Sequence, residues 1–348
     1  MQSIKSNALE PTRSEWATLS RWQAVVRLAS IYGLPLLTLA LIIFFSLLLP
    51  DTFPTTLNAR SILSDKAIIA LLSLAATLPM MAGRIDLTVG FGIVMWHILA
   101  MSLIVRFGVP WPLAILIVVA CGGLVGLING LLVEVAQVDS FIATLGTGTI
   151  LYALALWHTD GRQIIGVLPA GFIKINTLSI AGFPIPAVYA IVLAFALWIV
   201  SERLPLGRHV YAIGANEKAA ALNGIPVRAY VIGVFVASGL ITGFAGCVLA
   251  AKLRIGQANV GLDYLLPALV GAFLGSTTIK PGRVNVWGTM FGVLILAVGI
   301  SGIQQLGGAF FVEPLFNGTT LVISIALAGF AQRRRTVAKP ARGVLDSR

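Results

Sequence analysis

A chain of 348 residues that is 58% hydrophobic and only 11% Asp, Glu, Lys and Arg falls far below the roughly 25% charge of a soluble domain. Its mean hydropathy of +0.95 is more apolar surface than a water-soluble fold can bury and still cover, which excludes a soluble enzyme, a disordered chain and a nucleic-acid-binding domain. The net charge of +11, from 24 basic and 13 acidic residues, takes its meaning from where the charges fall.

Lys5, Arg13, Arg21 and Arg27 mark a basic cytoplasmic N-terminal tail, residues 1–27, ahead of a charge-free run at 28–50. That run reads as an uncleaved membrane helix, because its basic leader is too long for a signal peptide and Leu47-Leu48-Leu49-Pro50-Asp51 offers no small-residue cleavage site. Further charge-free runs follow at 67–83, 87–105, 111–133, 140–157, 175–201, 229–251, 264–279, 284–312 and 314–332. The runs are 16 to 29 residues long, against roughly 20 needed to cross a ~30 Å hydrocarbon core. They are too long for barrel strands, so the chain is predicted to be an all-α polytopic membrane protein with about ten transmembrane helices. The runs at 67–83 and 264–279 are short and are expected to begin or end outside the core. Arg333, Arg334, Arg335, Lys339, Arg342 and Arg348 make a basic tail at 333–348, leaving a transmembrane domain at 28–332. Two basic ends place both termini in the cytoplasm, which requires an even number of crossings; ten satisfies it. The basic surplus is then an orientation signal beside anionic lipid, not a nucleic-acid site.

Within this frame a few residues break the apolar pattern. Arg84-Ile85-Asp86, flanked by Gly83 and Gly90, reads either as a short cytoplasmic turn or as polar backbone lining a cavity. A similar string, Gly282-Arg283-Val284-Asn285, precedes a later span and is consistent with two related halves. His97 stands alone in a span and reads as a packed neutral histidine rather than a proton relay. His158 and His209 fall in loops. Gly122, Gly126 and Gly130 form a small-residue stripe, and Gly239 with Gly243, Gly271 with Gly275, and Gly288 with Gly292 repeat the spacing of close helix contacts. Asn129 lies on the first stripe's face, where its amide either glues helices or lines a polar path. Glu134 and Asp139 bracket the turn after the fourth span and are expected to be solvated. Cys121 and Cys247 lie in apolar runs, so neither a disulfide framework nor a cysteine metal cluster is expected.

The longest internal cytoplasmic loop runs from Glu202 to Arg228. Asn216 to Leu222 is predicted to be a short helix with Asn216 as N-cap, Glu217 in the first turn, Ala219, Ala220 and Ala221 as a small-residue surface, and Gly224 as terminator. Such a helix is a suitable docking lever for a soluble motor. No Gly-x-x-x-x-Gly-Lys-Ser/Thr or His-Glu-x-x-His motif occurs, so any ATP hydrolysis must come from another polypeptide.

Gly83-Arg84-Ile85-Asp86-Leu87-Thr88-Val89-Gly90 resembles the Gly-Gly-Ile-Asp-Leu-Ser-Val-Gly of permease subunits of bacterial ATP-binding-cassette (ABC) importers for monosaccharides, the ribose, xylose, arabinose and autoinducer-type family. Asn129-Gly130-Leu131-Leu132-Val133, Phe141-Ile142-Ala143-Thr144-Leu145-Gly146-Thr147 and the Asn216–Gly224 stretch resemble three further strings of that family, over roughly residues 35–332. The chain departs from it at Arg84, where glycine is usual, and at Ser276-Thr277-Thr278-Ile279-Lys280-Pro281, in a turn usually rich in glycine. The resemblance implies a multi-pass permease of the bacterial inner membrane, working by alternating access with a second permease copy or paralogue, a cytoplasmic ABC ATPase and a periplasmic sugar-binding protein. ATP and Mg would sit on the ATPase, with no cofactor and no catalytic residue in this chain. Asp86, Asn129, Thr144 and Thr147 are candidates for the translocation path. Gly207, Arg208, Asn216, Glu217, Ala219, Ala220 and Gly224 are candidates for ATPase coupling. The external loop from His158 to Pro184 would meet the binding protein, or serve as a solvated spacer. The competing readings are an ion-coupled secondary sugar carrier, which should show paired ionisable residues in its spans, and a membrane-embedded enzyme, which should show clustered His, Asp and Glu.

Overall fold

Thirteen helices form among residues 32–308 and 311–323, which are those that the structure, a computed structural model, describes. The N-terminal tail 1–27, the basic tail 333–348 and the second half of the last apolar run lie outside the described residues. The helices are α1 (Tyr32–Leu48), α2 (Thr56–Met81), α3 (Thr88–Met101, continued by a π-helical turn Ser102–Arg106), α4 (Trp111–Glu134), α5 (Ser140–Thr159), α6 (Ala170–Thr177), α7 (Ile185–Glu202), α8 (Pro205–Ala215), α9 (Glu217–Leu222), α10 (Val227–Leu253), α11 (Leu265–Leu274), α12 (Val286–Gln305) and α13 (312–323). Seven of them, among the described residues, are long and apolar enough to cross a bilayer. A helix satisfies its own backbone in hydrocarbon, so this chain is a helical polytopic membrane protein.

Every apolar run corresponds to a helix, with three shifts of boundary. α2 begins eleven residues before its run, because Thr55 caps it by accepting from the Asn58 N–H at 3.1 Å, and Arg60, Asp65 and Lys66 ride on its first turns. α7 begins ten residues late: Pro184 and Pro186 start it, and the preceding residues form α6 and a hairpin pairing Ser179–Ile180 with Phe183–Pro184. α11 stops at Leu274 and, at ten residues, is shorter than the seven. The turn after it holds Ile279 at φ +62°, a left-handed conformation costly for a β-branched residue.

α2, α3, α10 and α12 are mostly buried, while α4, α5 and α7 leave most of their surface, including Leu116, Leu124, Ile150 and Phe195, exposed. The glycine stripes face each other in pairs. On α4, a Cβ at Gly122 would stand 2.3 Å from the Gly239 carbonyl oxygen of α10, and one at Gly126 would stand 2.2 Å from that of Phe235. On α12, Gly288 and Gly292 face the carbonyls of Gly275 and Gly271 in the same way. Backbone thus touches backbone, the source of van der Waals adhesion that lipid cannot compete away.

The elements divide between two ends. One end gathers the α2–α3 break, the α4–α5 turn, α8, α9 and the 275–285 turn. The other gathers the 159–184 segment, the start of α2 and the end of α10, where Ile164–Ile165 pairs antiparallel with Ile255–Gly256. The 159–184 segment is a folded piece rather than a spacer, since Phe172 of α6 is fully buried in the core. His97 is likewise buried, its Nδ1 donating to Ile93 O at 2.9 Å and its Nε2 accepting from Gln257 N at 3.2 Å, which is the packed neutral state.

Candidate functional site

The chain turns between α2 and α3 on Gly83, at φ +75°, and then runs without regular secondary structure through Arg84-Ile85-Asp86-Leu87. Arg84 N still donates to Pro79 O of α2 at 3.0 Å, and hydroxyls of α5 take the N–H groups of Ile85 and Leu87. Ile85 N donates to Ser140 Oγ at 3.1 Å, and Leu87 N donates to Thr144 Oγ1 at 3.0 Å. Thr144, expected near a transport path, therefore anchors the break.

Asp86 is buried at 1% exposure, two residues ahead of α3. Its Oδ1 accepts from the Thr88 N–H at 2.9 Å and from the Thr88 hydroxyl, and its Oδ2 accepts from Ser238 Oγ of α10 at 2.8 Å. Burial pushes the Asp86 carboxyl above the ordinary carboxylate range, against the bonds from Thr88 and Ser238, which pull it down. The chain of hydrogen bonds continues outward: Asn129 Nδ2 donates to Thr88 Oγ1 at 3.2 Å, and Thr147 Oγ1 donates to Asn129 Oδ1 at 2.7 Å. Asp86, Asn129 and Thr147, singled out separately in the sequence, are thus members of one network joining α3, α4, α5 and α10. Asp86, Asn129 and Thr144 are enclosed by the chain itself, and Thr147 is partly exposed. The sequence reading missed Thr88 and Ser238. Their signal was a hydroxyl beside a motif carboxylate and one next to the Gly239 stripe.

Arg84 points the other way. Its Nη2 donates to Glu134 Oε1 of α4 at 3.0 Å and to Glu217 Oε2 of α9 at 2.8 Å. Glu134, expected in solvent, is instead 2% exposed in its side chain, because α4 delivers it beneath the guanidinium. Asp139 does stay exposed and caps α5, accepting from Phe141 N and Ile142 N. The Gly282–Asn285 string repeats this arrangement. Gly282 has φ +79°, and Asn285 Oδ1 caps α12 by accepting from Gly288 N at 2.8 Å. Arg283 lies over the Tyr211 ring of α8, 3.3 Å from its centroid. Burial pushes the Tyr211 hydroxyl up to about 12, so it stays a donor, to Val284 O at 2.9 Å.

Both Gly-Arg turns therefore grip the α8–α9 segment, of which only α9 was read from the sequence. Pro205 at its start and the buried Val210 and Ile213 were the signal for α8. Close approach fixes the position of α8: a Cβ on Gly214 would stand 2.2 Å from Met81 O, and one on Gly207 would stand 2.3 Å from Ser201 backbone. In α9, Asn216 Oδ1 accepts from Ala219 N at 2.9 Å and Gly224 adopts φ +78°, as the cap and terminator expected. The alanines do not form one surface. Ala219 and Ala221 face outward with Arg208 and Glu217, but Ala220 is buried at 4%, because a one-turn helix lying on the protein must turn one residue inward. The outermost apolar side chain there is Leu222, 89% exposed.

Residues 58–331 match the family described as branched-chain amino acid transport system / permease component. The chain belongs to this permease family. Among similar proteins, the ribose import permease protein RbsC of Bacillus subtilis (strain 168) is 34% identical over 84% of this permease and 91% of its own length. The D-allose transport system permease protein AlsC of Escherichia coli (strain K12) is 28% identical over 85% of this permease and 90% of its own length. The autoinducer 2 import system permease protein LsrD of the same strain is 27% identical over 88% and 95%. No solved structure matches the permease. The resemblance carried by the helix-break and α5 motifs thus extends along nearly the whole described chain. The permease is a transport subunit, and the carrier and enzyme readings fall away.

Proposed function

We propose that the permease is the membrane-spanning subunit of an ATP-driven importer that passes a small sugar or sugar-like polyol from a periplasmic binding protein to the cytoplasm by alternating access. The observation that carries this reading is the double grip on α8–α9. One exposed two-helix segment holds both helix breaks, through Arg84–Glu217 and Arg283–Tyr211, so a soluble motor that moves it moves both turns together. The relatives named for ribose and D-allose support a sugar, whereas the family description supports an amino acid. The greater weight goes to the relatives, each matched over most of both chains.

In this reading residues 28–332 cross the bacterial inner membrane ten times with both termini cytoplasmic. The separation of α8 and α9 from the 159–184 segment at opposite ends supports that orientation. A cytoplasmic ABC ATPase carrying ATP and Mg docks on Lys218, Ala219, Ala221 and Leu222. The binding protein meets the 159–184 segment, where Val167 and Phe183 are exposed. The exposed faces of α4, α5 and α7 meet lipid and a second permease copy or paralogue.

The reading is tested by co-purifying the tagged permease with its ATPase. Leu222→Asp should leave the permease inserted, since Leu222 touches little of it, and should reduce ATPase recovery and sugar uptake at least tenfold. Undiminished recovery and uptake would place the docking surface elsewhere. Asp86, Asn129, Thr144 and Thr147 border the path in this reading, with Thr147 nearest to it. Asn129→Leu removes both amide bonds, leaving the Thr147 hydroxyl to Ala143 O and the Thr88 hydroxyl to Asp86, and should cut uptake while insertion persists. Wild-type uptake in Asp86→Ala, Asn129→Leu and Thr147→Val alike would make the network purely structural.

A further inference from the structure

At the end opposite α8–α9, a cavity of about 570 Å³ opens between α2, the end of α10, the start of α11 and α13. Two ion pairs frame it. Lys252 Nζ lies 2.9 Å from Asp65 Oδ1 and ties α10 to α2, and Lys66 Nζ lies 2.9 Å from Glu313 Oε1 and ties α2 to α13. Asp263, Tyr264 and Asn317 complete its polar lining. Asn317 is 3% exposed, yet its Oδ1 has no hydrogen-bond partner among the described residues. A buried amide oxygen left unpaired costs free energy, and one on a cavity wall is an acceptor kept for something that enters.

The lining selects the chemistry of that guest. The two ammonium groups are matched by two of the three carboxylates, so an anion would meet a surplus negative charge. Paired ammonium and carboxylate groups still hold spare donors and lone pairs, and a hydroxyl both donates and accepts. The remaining walls, Ile69, Leu262 and Pro267 with the Tyr264 ring, are apolar and suit the C–H face of a ring. We propose that this cavity is a cargo subsite for a neutral, monosaccharide-sized polyol, with Asn317 as its central acceptor, occupied before the cargo reaches the Asp86 break. The proposal rests on the sugar-importer reading above and adds to it a site in the permease itself.

The test uses the full-length permease in phospholipid nanodiscs with D-ribose and D-allose as probes, read by saturation-transfer NMR, alongside whole-cell uptake of both sugars. Wild type should give saturable transfer to the sugar C–H protons. Asn317→Leu should weaken it about fivefold or more, the loss of one hydrogen bond, while Asn223→Leu on the α8–α9 end leaves it unchanged. If Asn317→Leu does not fold, Asn317→Cys in a Cys121→Ala/Cys247→Ala chain replaces it. A membrane-impermeant maleimide should label that cysteine, and either sugar should protect it. Uptake that persists with no saturable transfer, or with transfer unaffected at Asn317, overturns the subsite and leaves the importer reading standing. Absence of both uptake and binding for either sugar overturns both. Displacement of the sugar by L-leucine would assign the cavity to an amino acid and also overturn the proposal.

Discussion

Arg84→Ala is expected to destabilise the permease by about 3–5 kcal/mol, because it leaves Glu134 as a buried carboxylate with no counter-ion. The two arms of the clamp contribute unequally. Glu217 is 46% exposed in its side chain, so water replaces the lost guanidinium there and the cost is about 0–1 kcal/mol. Glu134, at 2%, has no such recourse. Thermal unfolding of the detergent-solubilised protein checks the magnitude, and an unchanged midpoint would mean that Arg84 does not hold Glu134. A second variant separates stability from coupling. Arg84→Met combined with Glu134→Leu removes both charges of the pair, of which Glu134 is the buried one, and should recover most of the midpoint, since such a pair replaced by apolar groups is often neutral. It cannot restore the link to Glu217, so transport should stay low in a folded protein. Wild-type transport in that double variant would show that the helix break and α9 need no ionic tie.

Gly126→Leu should be at least as damaging, through geometry alone. Even the first atom of any side chain at this position meets the Phe235 carbonyl oxygen at 2.2 Å, and a carbonyl in the middle of α10 has no rotamer to escape into. α4 and α10 must then part along the whole stripe, because Gly122 against Gly239 and Gly243 against Val118 depend on the same separation. Overpacking of a core costs about 1–3 kcal/mol where side chains can yield, so a cost beyond that range, or failure to accumulate, is expected here. Gly146→Ala in α5 is the control. A Cβ there meets nothing within 4 Å among the described residues, so the change should be neutral or, through helix propensity, stabilising by up to about 1 kcal/mol. The monodisperse yield on size exclusion compares the two. Equal yields would mean that the α4–α10 approach is looser than the geometry requires.

Much of this architecture was legible in the residues, for a physical reason: in a bilayer each spanning segment must be a helix that satisfies itself, so apolar length alone locates it. The cap and terminator of α9, Asn216 and Gly224, were legible because capping is decided within four residues. The glycine stripes announced close contacts because a helix face is a local property. Which stripe meets which is not local. Nothing in the spacing of Gly122 and Gly126 names Gly239, and nothing around Gly271 names Gly292. Charges behaved in the same way. Arg84 finds its partners 50 and 133 residues away, and Asp86 finds Ser238 at a distance of 152. Glu134 therefore read as a solvated turn residue until the fold brought Arg84 over it. Ala220 and the start of α7 were decided the same way, by what lies beneath the short helix and by the hairpin that takes up residues 179–184. The sequence by itself determined the helices, their caps and the faces made for contact, since these follow from backbone and periodicity. Only the tertiary structure decided the partners, since a buried charge or an atomless glycine face is defined by the group that the rest of the chain places against it.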